Sequence, residues 1–304
     1  MRRRFAQFAW TVLGINLLVI LWGALVRASK SGEGCGDHWP LCNGTVIPHA
    51  AQIATVIEFT HRASIPVESI LVVVMAAWAY YAYRRELVWK AAAASLVLLV
   101  IEALLGAGLV LFKYTGTDVS VGRMVYLSAH LVNTLLLVGA MALTAWWASG
   151  NRAIEWSGIN ARLLGGAIAG ALLISITGAI TALSDTLFPV NSLGEGLALD
   201  FSATAPALVK LRIWHPVTAA LTGAYIATLA VKIGRASRLA TTVIVLVVLQ
   251  TGAGMLNLFL LTPIWMQLVH LLLADFLWIA LVLFTASVLE NSPTRQHTAE
   301  LVHP

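Results

Sequence analysis

The chain has 304 residues, 59% of them hydrophobic and only 11% charged, with a mean hydropathy of +0.85. A soluble domain carries about 25% charged residues, so this chain has too little polar material to cover a water-facing surface. The net charge is +5, but the basic residues fall in short clusters between apolar runs, as in helical membrane proteins, with no continuous patch for nucleic acid.

Taken in order, the apolar runs predict eight transmembrane helices: Phe8–Val26, Ile57–Tyr83, Ala91–Phe112, Met124–Trp147, Leu163–Leu183, Leu211–Ile233, Leu239–Leu260 and Ile264–Leu289. Each is about the twenty residues a helix needs to cross the hydrocarbon. Alternating ten-residue segments, the mark of a barrel, are absent. The expected fold is therefore an all-α polytopic membrane protein. The first run is too long for a signal-peptide core and no small-residue cleavage site follows it, so it is expected to remain as a span. Arg2, Arg3, Arg4, Arg84, Arg85, Lys90, Arg152, Arg162, Lys232, Arg235, Arg238 and Arg295 fall on one side of this topology. They outnumber Arg27, Lys30, Arg62, Lys113, Arg123, Lys210 and Arg212 on the other. The positive-inside rule then predicts both termini in the cytoplasm and the two long loops, about residues 27–56 and 184–210, outside. The polar stretch 291–304 is expected to be a cytoplasmic tail.

An internal repeat lies within these spans. Gly23-Ala24 in span one resembles Gly178-Ala179 in span five, and Glu102-x-x-x-Gly106 in span three resembles Gln250-x-x-x-Gly254 in span seven. His61 and His215 open spans two and six, while His130 and His270 open spans four and eight. Two four-span units of equal orientation follow, residues 1–150 and 151–290. Two neutral imidazoles facing across a helical bundle make an axial pair for haem iron. Zinc fits less well, because no further ligand repeats at the required spacing.

The halves differ around the histidines. Glu58 and Arg62 flank His61, whereas Arg212 and Pro216 occupy the corresponding positions around His215. A carboxylate beside only one haem points to chemistry in the N-terminal half and electron transfer in the C-terminal half. Glu58 would shuttle a proton or stabilise a developing cation; the plainer alternative is an i,i+4 ion pair with Arg62. Arg27, Arg62, Arg123 and Arg212 are placed to meet haem propionates, or equally to snorkel at helix ends. Glu68, Glu102 and Asp275 lie within spans, where interhelical hydrogen bonding or a proton path would account for them. Cys35 and Cys42 share the first outer loop, where an oxidising compartment favours a disulfide. Its role as loop staple or redox relay stays open. No C-x-x-C-H motif for covalent haem attachment occurs.

These residues together resemble the haem A synthase family. The matching pieces are Gly23-Ala24-Leu25-Val26-Arg27, Ser31-Gly32-Glu33-Gly34-Cys35 with Trp39-Pro40-Leu41-Cys42, and Glu58-x-x-His61-Arg62. His130, His215 and His270 follow in place, and Glu102-x-x-x-Gly106 resembles the family's glutamine-plus-glycine version. The resemblance covers residues 8–289 and implies two four-helix bundles related by a pseudo-twofold axis. It implies substrate haem O in the first, with His61 and His130 on the iron and Glu58 needed for catalysis, and a haem b cofactor between His215 and His270 in the second. The C8 methyl of haem O would become a formyl group by successive hydroxylations, giving haem A, with electrons passing via haem b. The Cys35–Cys42 pair would lie over the substrate site. The setting would be a bacterial cytoplasmic membrane and its lipid, with haem O synthase (a farnesyltransferase) and terminal oxidase assembly as candidate partners and a homo-oligomer open. The sequence departs from the family in two places: the loop Ser184–Val209 lacks the second cysteine pair of some members, and Pro216 stands where an arginine often follows the histidine.

Two other classes compete. A di-haem b cytochrome would carry electrons from quinol without altering either haem, but it would place its haems near opposite faces. A transporter would gather polar residues at the midplane, whereas here they cluster in one layer.

Overall fold

A computed structural model describes residues 2–49, 52–234 and 237–290. The predicted tail 291–304 and Arg235 lie outside these residues. The long helices are α1 (Arg2–Ala28), α2 (Ile53–Tyr83), α3 (Leu87–Leu111), α4 (Val121–Ala148), α5 (Gly158–Leu187), α8 (Trp214–Ile233), α9 (Arg238–Phe259) and α10 (Ile264–Val288). Two short helices, α6 (Leu193–Asp200) and α7 (Ala207–Leu211), lie between α5 and α8. Counting α7 and α8 as one run, eight helices are long and apolar enough to cross a membrane, as expected. Among the described residues no β-strand forms.

Most helices outrun the apolar stretches that announced them. Helix α1 starts at Arg2 and has 27 residues, a length of roughly 40 Å against a hydrocarbon core of about 30 Å. Hydropathy reads only the part in hydrocarbon; the helix continues through its basic end into the headgroup zone. The loop predicted over Ser184–Val209 is also more ordered than expected. Ser192 caps α6 by accepting from the Glu195 N–H at 3.1 Å, and Glu195 in turn accepts from the Asn191 N–H at 2.8 Å.

Packing follows two rings of neighbours. Helix α1 touches α2 and α4, and α3 touches α2 and α4; α5 touches α8 and α10, and α9 touches α8 and α10. One buried cluster runs through α1–α4, around Phe5, Leu13, Met75 and Met141; another joins α5, α8, α9 and α10, around Leu164, Val243, Leu281 and Phe284. Helix α10 also packs on α4: the Trp278 Nε1–H donates to the Leu135 carbonyl at 2.6 Å, and the indole lies over Gly139.

Polar ties fix both ends of the bundle. Arg2 meets Glu86 at 2.7 Å, which sets α1 against the α2–α3 turn. At the end bearing loop residues 29–49, called the loop face below, Arg27 donates to the Ala182 carbonyl, Thr186 Oγ1 and Gln267 Oε1, joining α1 to α5 and α10. Lys113 pairs with Asp37 at 2.7 Å across two loops, and this carboxylate holds the Lys113 ammonium above the ordinary lysine range.

Candidate functional site

All four histidines stand near the loop face, and each lies on a glycine of the preceding long helix. A β-carbon added at Gly23 would sit 3.0 Å from His61 Cε1, at Gly178 3.1 Å from His215 Cε1, and at Gly254 3.0 Å from His270 Cε1. At Gly106 the distance to His130 Nε2 is 3.8 Å, an ordinary contact. The repeated glycines thus make room for imidazole rings, a use that the sequence alone does not separate from close helix approach.

The C-terminal pair faces itself closely: the His215 and His270 ring centroids are 6.3 Å apart and the planes are nearly perpendicular, at 86°. Two metal–imidazole bonds of about 2 Å, with a ring radius of roughly 1 Å at each end, need centroids about 6 Å apart. The spacing therefore fits one iron between the rings. His215 Nδ1 is 3.3 Å from Thr177 Oγ1, and His270 Nε2 is 3.4 Å from Gln250 Nε2. The Nδ1 atoms of His61 and His270 are buried without a hydrogen bond, which leaves donor atoms uncommitted, whereas His130 Nδ1 faces Glu102 Oε1 at 3.0 Å and leaves Nε2 as its free donor. His61 and His130 lie within electrostatic reach of each other and of Glu102. Among the described residues no three His, Cys, Asp or Glu side chains converge as a bare metal ion would require. The donor set suits two-imidazole ligation of haem.

Glu58 is 3% exposed and held from both sides. Its Oε2 accepts from the Cys35 N–H at 2.8 Å, while Oε1 accepts from Arg62 Nε at 3.1 Å and Nη2 at 2.5 Å. Arg62 Nη1 reaches on to the carbonyls of His38 and Leu41 at 2.6 and 2.7 Å. The i,i+4 pair expected as the plainer alternative is thus present, and it also nails the cysteine loop to α2. Cys35 and Cys42 lie within disulfide-bonding distance. Gly34 is what lets the loop come so close: a β-carbon there would lie 2.5 Å from the Ala54 carbonyl.

In the other ring of helices the charge is reversed. Arg212, at the position matching Glu58, pairs with Asp200, approaches Asp185 Oδ1 at 3.7 Å and donates to the Gly196 carbonyl at 3.1 Å. Pro216 lacks the N–H that would bond the Arg212 carbonyl. That carbonyl instead accepts from the His215 N–H at 3.2 Å and from Thr181 Oγ1 at 3.1 Å, where α7 breaks from α8. Arg123 donates through Nη1 to the carbonyls of Thr115, Gly116 and Asp118. All four arginines singled out for propionates therefore also engage protein oxygens.

Below the histidines, two of the three acids within the spans bond between helices. Glu102 on α3 accepts from Asn133 Nδ2 at 2.6 Å and from Thr134 Oγ1, both on α4. Glu68 accepts from Asn16 of α1. Asp275 is fully buried with neither oxygen hydrogen-bonded. Sequence reasoning misses Asn16, Asn133, Thr177 and the acidic partners Asp185 and Asp200. Asn16 has a signal, since it lies seven residues before Gly23 and so on its face of α1; Asp200 has none, because α6 brings it back from a loop.

Eight membrane-length helices carrying four glycine-backed histidines near one face make this a multi-pass, all-helical membrane protein. The profile of the cytochrome oxidase assembly protein family, COX15-CtaA, matches residues 6–282. The chain belongs to that family. It is 41% identical over 307 residues to a Thermus thermophilus protein named protoheme IX farnesyltransferase, a match covering 98% of this chain and 50% of that relative. It is 42% identical over 103 residues to the heme A synthase of Alkalihalophilus pseudofirmus, 34% of each chain. To the heme A synthase of an Exiguobacterium species it is 30% identical over 141 residues, 45% of this chain and 47% of the relative. The chain thus spans about half the length of the Thermus protein it matches along nearly all of its own.

Proposed function

We propose that the chain is an oxidoreductase that converts haem O to haem A. The C8 methyl group is hydroxylated twice, and loss of water from the resulting gem-diol leaves the formyl group. The heme A synthase relatives support the reaction class. The observation that carries the reading for this chain is the unequal furnishing of the two histidine pairs. Glu102 approaches His130 at 3.0 Å and Glu58 pairs with Arg62 one turn before His61 on α2, whereas Thr177 and Gln250, both uncharged, attend His215 and His270.

In this reading residues 1–150 and 151–290 are two pseudo-twofold-related halves, both termini face the cytoplasm, and the loop face is outside. His61 and His130 take the iron of substrate haem O. Glu58 is the catalytic group: three donors fix its carboxylate, which holds it ready to move a proton or offset positive charge at the substrate edge. His215 and His270 would hold haem b, which when bound supplies one-electron transfer. Cys35 and Cys42 form a disulfide that closes the loop around Arg62 and so keeps Glu58 in place. A farnesyltransferase would supply haem O, a partner supported by the name and double length of the Thermus relative, and terminal oxidase assembly would consume haem A.

Expression of the full chain in a host that makes haem O but no haem A tests the reaction. Haem A should appear with the wild-type chain. Glu58→Gln should keep its bound haems yet accumulate haem O or a hydroxylated intermediate. Normal haem A output from Glu58→Gln would remove Glu58 from catalysis, and no haem A from the wild type would remove the reaction.

A further inference from the structure

Glu102 is a half-buried acid beside a proposed iron ligand, and the chain contains its own control. In the internal repeat Glu102 corresponds to Gln250, Gly106 to Gly254 and His130 to His270. Glu102 Oε1 approaches His130 Nδ1 at 3.0 Å, though off the line of a hydrogen bond, since that nitrogen has no aligned partner. The carboxylate is anchored at both oxygens, Oε2 by Asn133 Nδ2 at 2.6 Å and Oε1 by Thr134 Oγ1. These anchors lie three and four residues beyond His130, one turn along α4. The matching positions beyond His270 are Leu273 and Ala274, which have no donor to offer. One half therefore builds a braced carboxylate beside its histidine, and the other an amide with an unbonded buried oxygen.

A carboxylate on the far nitrogen of a ligating imidazole fixes the ring and raises its basicity as a ligand. A stronger donor favours ferric over ferrous iron, and donor strength is one of the levers by which a protein sets a haem potential. We propose that Glu102 is a positioning residue that makes His130 the more strongly donating ligand and holds the N-terminal iron at a lower midpoint potential than a glutamine would. Such a bias would favour electron withdrawal from the substrate side toward the His215–His270 pair. This rests on the assignment of His130 as an iron ligand.

The test uses the purified full-length chain in detergent, loaded to saturation with haem b as a probe in both halves, and follows each haem by spectroelectrochemical titration. Glu102→Gln should shift the potential of the haem lost in His130→Ala upward, leaving the other haem as an unmoved reference. Gln250→Glu should shift the potential of the haem lost in His270→Ala downward. A tie between α3 and α4 and nothing more would change thermal stability in Glu102→Gln but neither potential. Full haem loading with both potentials unmoved in both variants overturns the role of Glu102 and leaves the ligand assignment standing. If Glu102→Gln fails to hold haem, Gln250→Glu decides, and an unmoved potential there overturns the proposal. Haem content unchanged in His130→Ala overturns the ligand assignment and this role with it.

Discussion

Arg62 illustrates how much one buried side chain can organise. It neutralises Glu58 and bonds two carbonyls of the cysteine loop while only 10% of its side chain is exposed. Arg2 makes a superficially similar pair with Glu86, but with 67% of its side chain exposed. Removing one partner of a buried pair costs about 3–5 kcal/mol, against about 0–1 kcal/mol for an exposed one. Arg62→Ala should therefore lower stability far more than Arg2→Ala in unfolding measured in mixed micelles; equal effects would mean that the loop is not anchored through Arg62. The glycines give a second comparison. Gly254→Ala and Gly178→Ala would press a methyl group against the histidine ring at 3.0 and 3.1 Å, whereas Gly106→Ala would make an ordinary 3.8 Å contact. The first two should lose bound haem in a pyridine haemochrome assay with helix content unchanged, and Gly106→Ala should retain it.

At the scale of elements, hydropathy reveals the spans because each must present about twenty apolar residues to lipid. It cannot reveal where helices end in the headgroup zone, since there both helix and loop are polar; hence α1 begins at Arg2 rather than Phe8. Helix α6 is hidden for another reason. Its apolar positions are too few to register as a span, and only the Ser192-x-x-Glu195 spacing betrays its start. Removing that cap with Ser192→Ala should cost about 1 kcal/mol locally. Faster amide exchange confined to Leu193–Asp200 would show it, whereas exchange unchanged there would contradict the cap. The candidate site is legible as residue types repeated at matching places, His61 with His215 and His130 with His270. Their surroundings are not, because Asn16, Gln267 and Asp200 reach their partners across 52, 240 and 12 residues of chain.

Across the whole molecule, two four-helix rings share one seam in which α4 and α1 pack on α5 and α10, closed at the loop face by Arg27. Trp278 is the largest side chain in that seam, 4% exposed, with its indole N–H on the Leu135 carbonyl. Trp278→Phe keeps one aromatic ring, leaves a small cavity and forfeits one interhelical hydrogen bond, about 0.6 kcal/mol in membrane proteins. Trp278→Ala leaves a cavity and should cost about 3–5 kcal/mol. Denaturant titrations that rank the two the other way would show that packing does not hold the seam. The division of labour proposed for the two rings rests on what surrounds the histidines rather than on the histidines themselves. Glu102 stands beside His130; Thr177 and Gln250, both neutral, stand beside His215 and His270.

That division is tested most directly by extracting the haems bound to the purified chain and identifying them by chromatography and mass spectrometry. Haem b should be found together with haem O, haem A or a hydroxylated intermediate between them, with His215→Ala or His270→Ala removing haem b alone. Haem b as the sole species would make the chain an electron-carrying cytochrome, and no haem at all would contradict the reading of all four histidines.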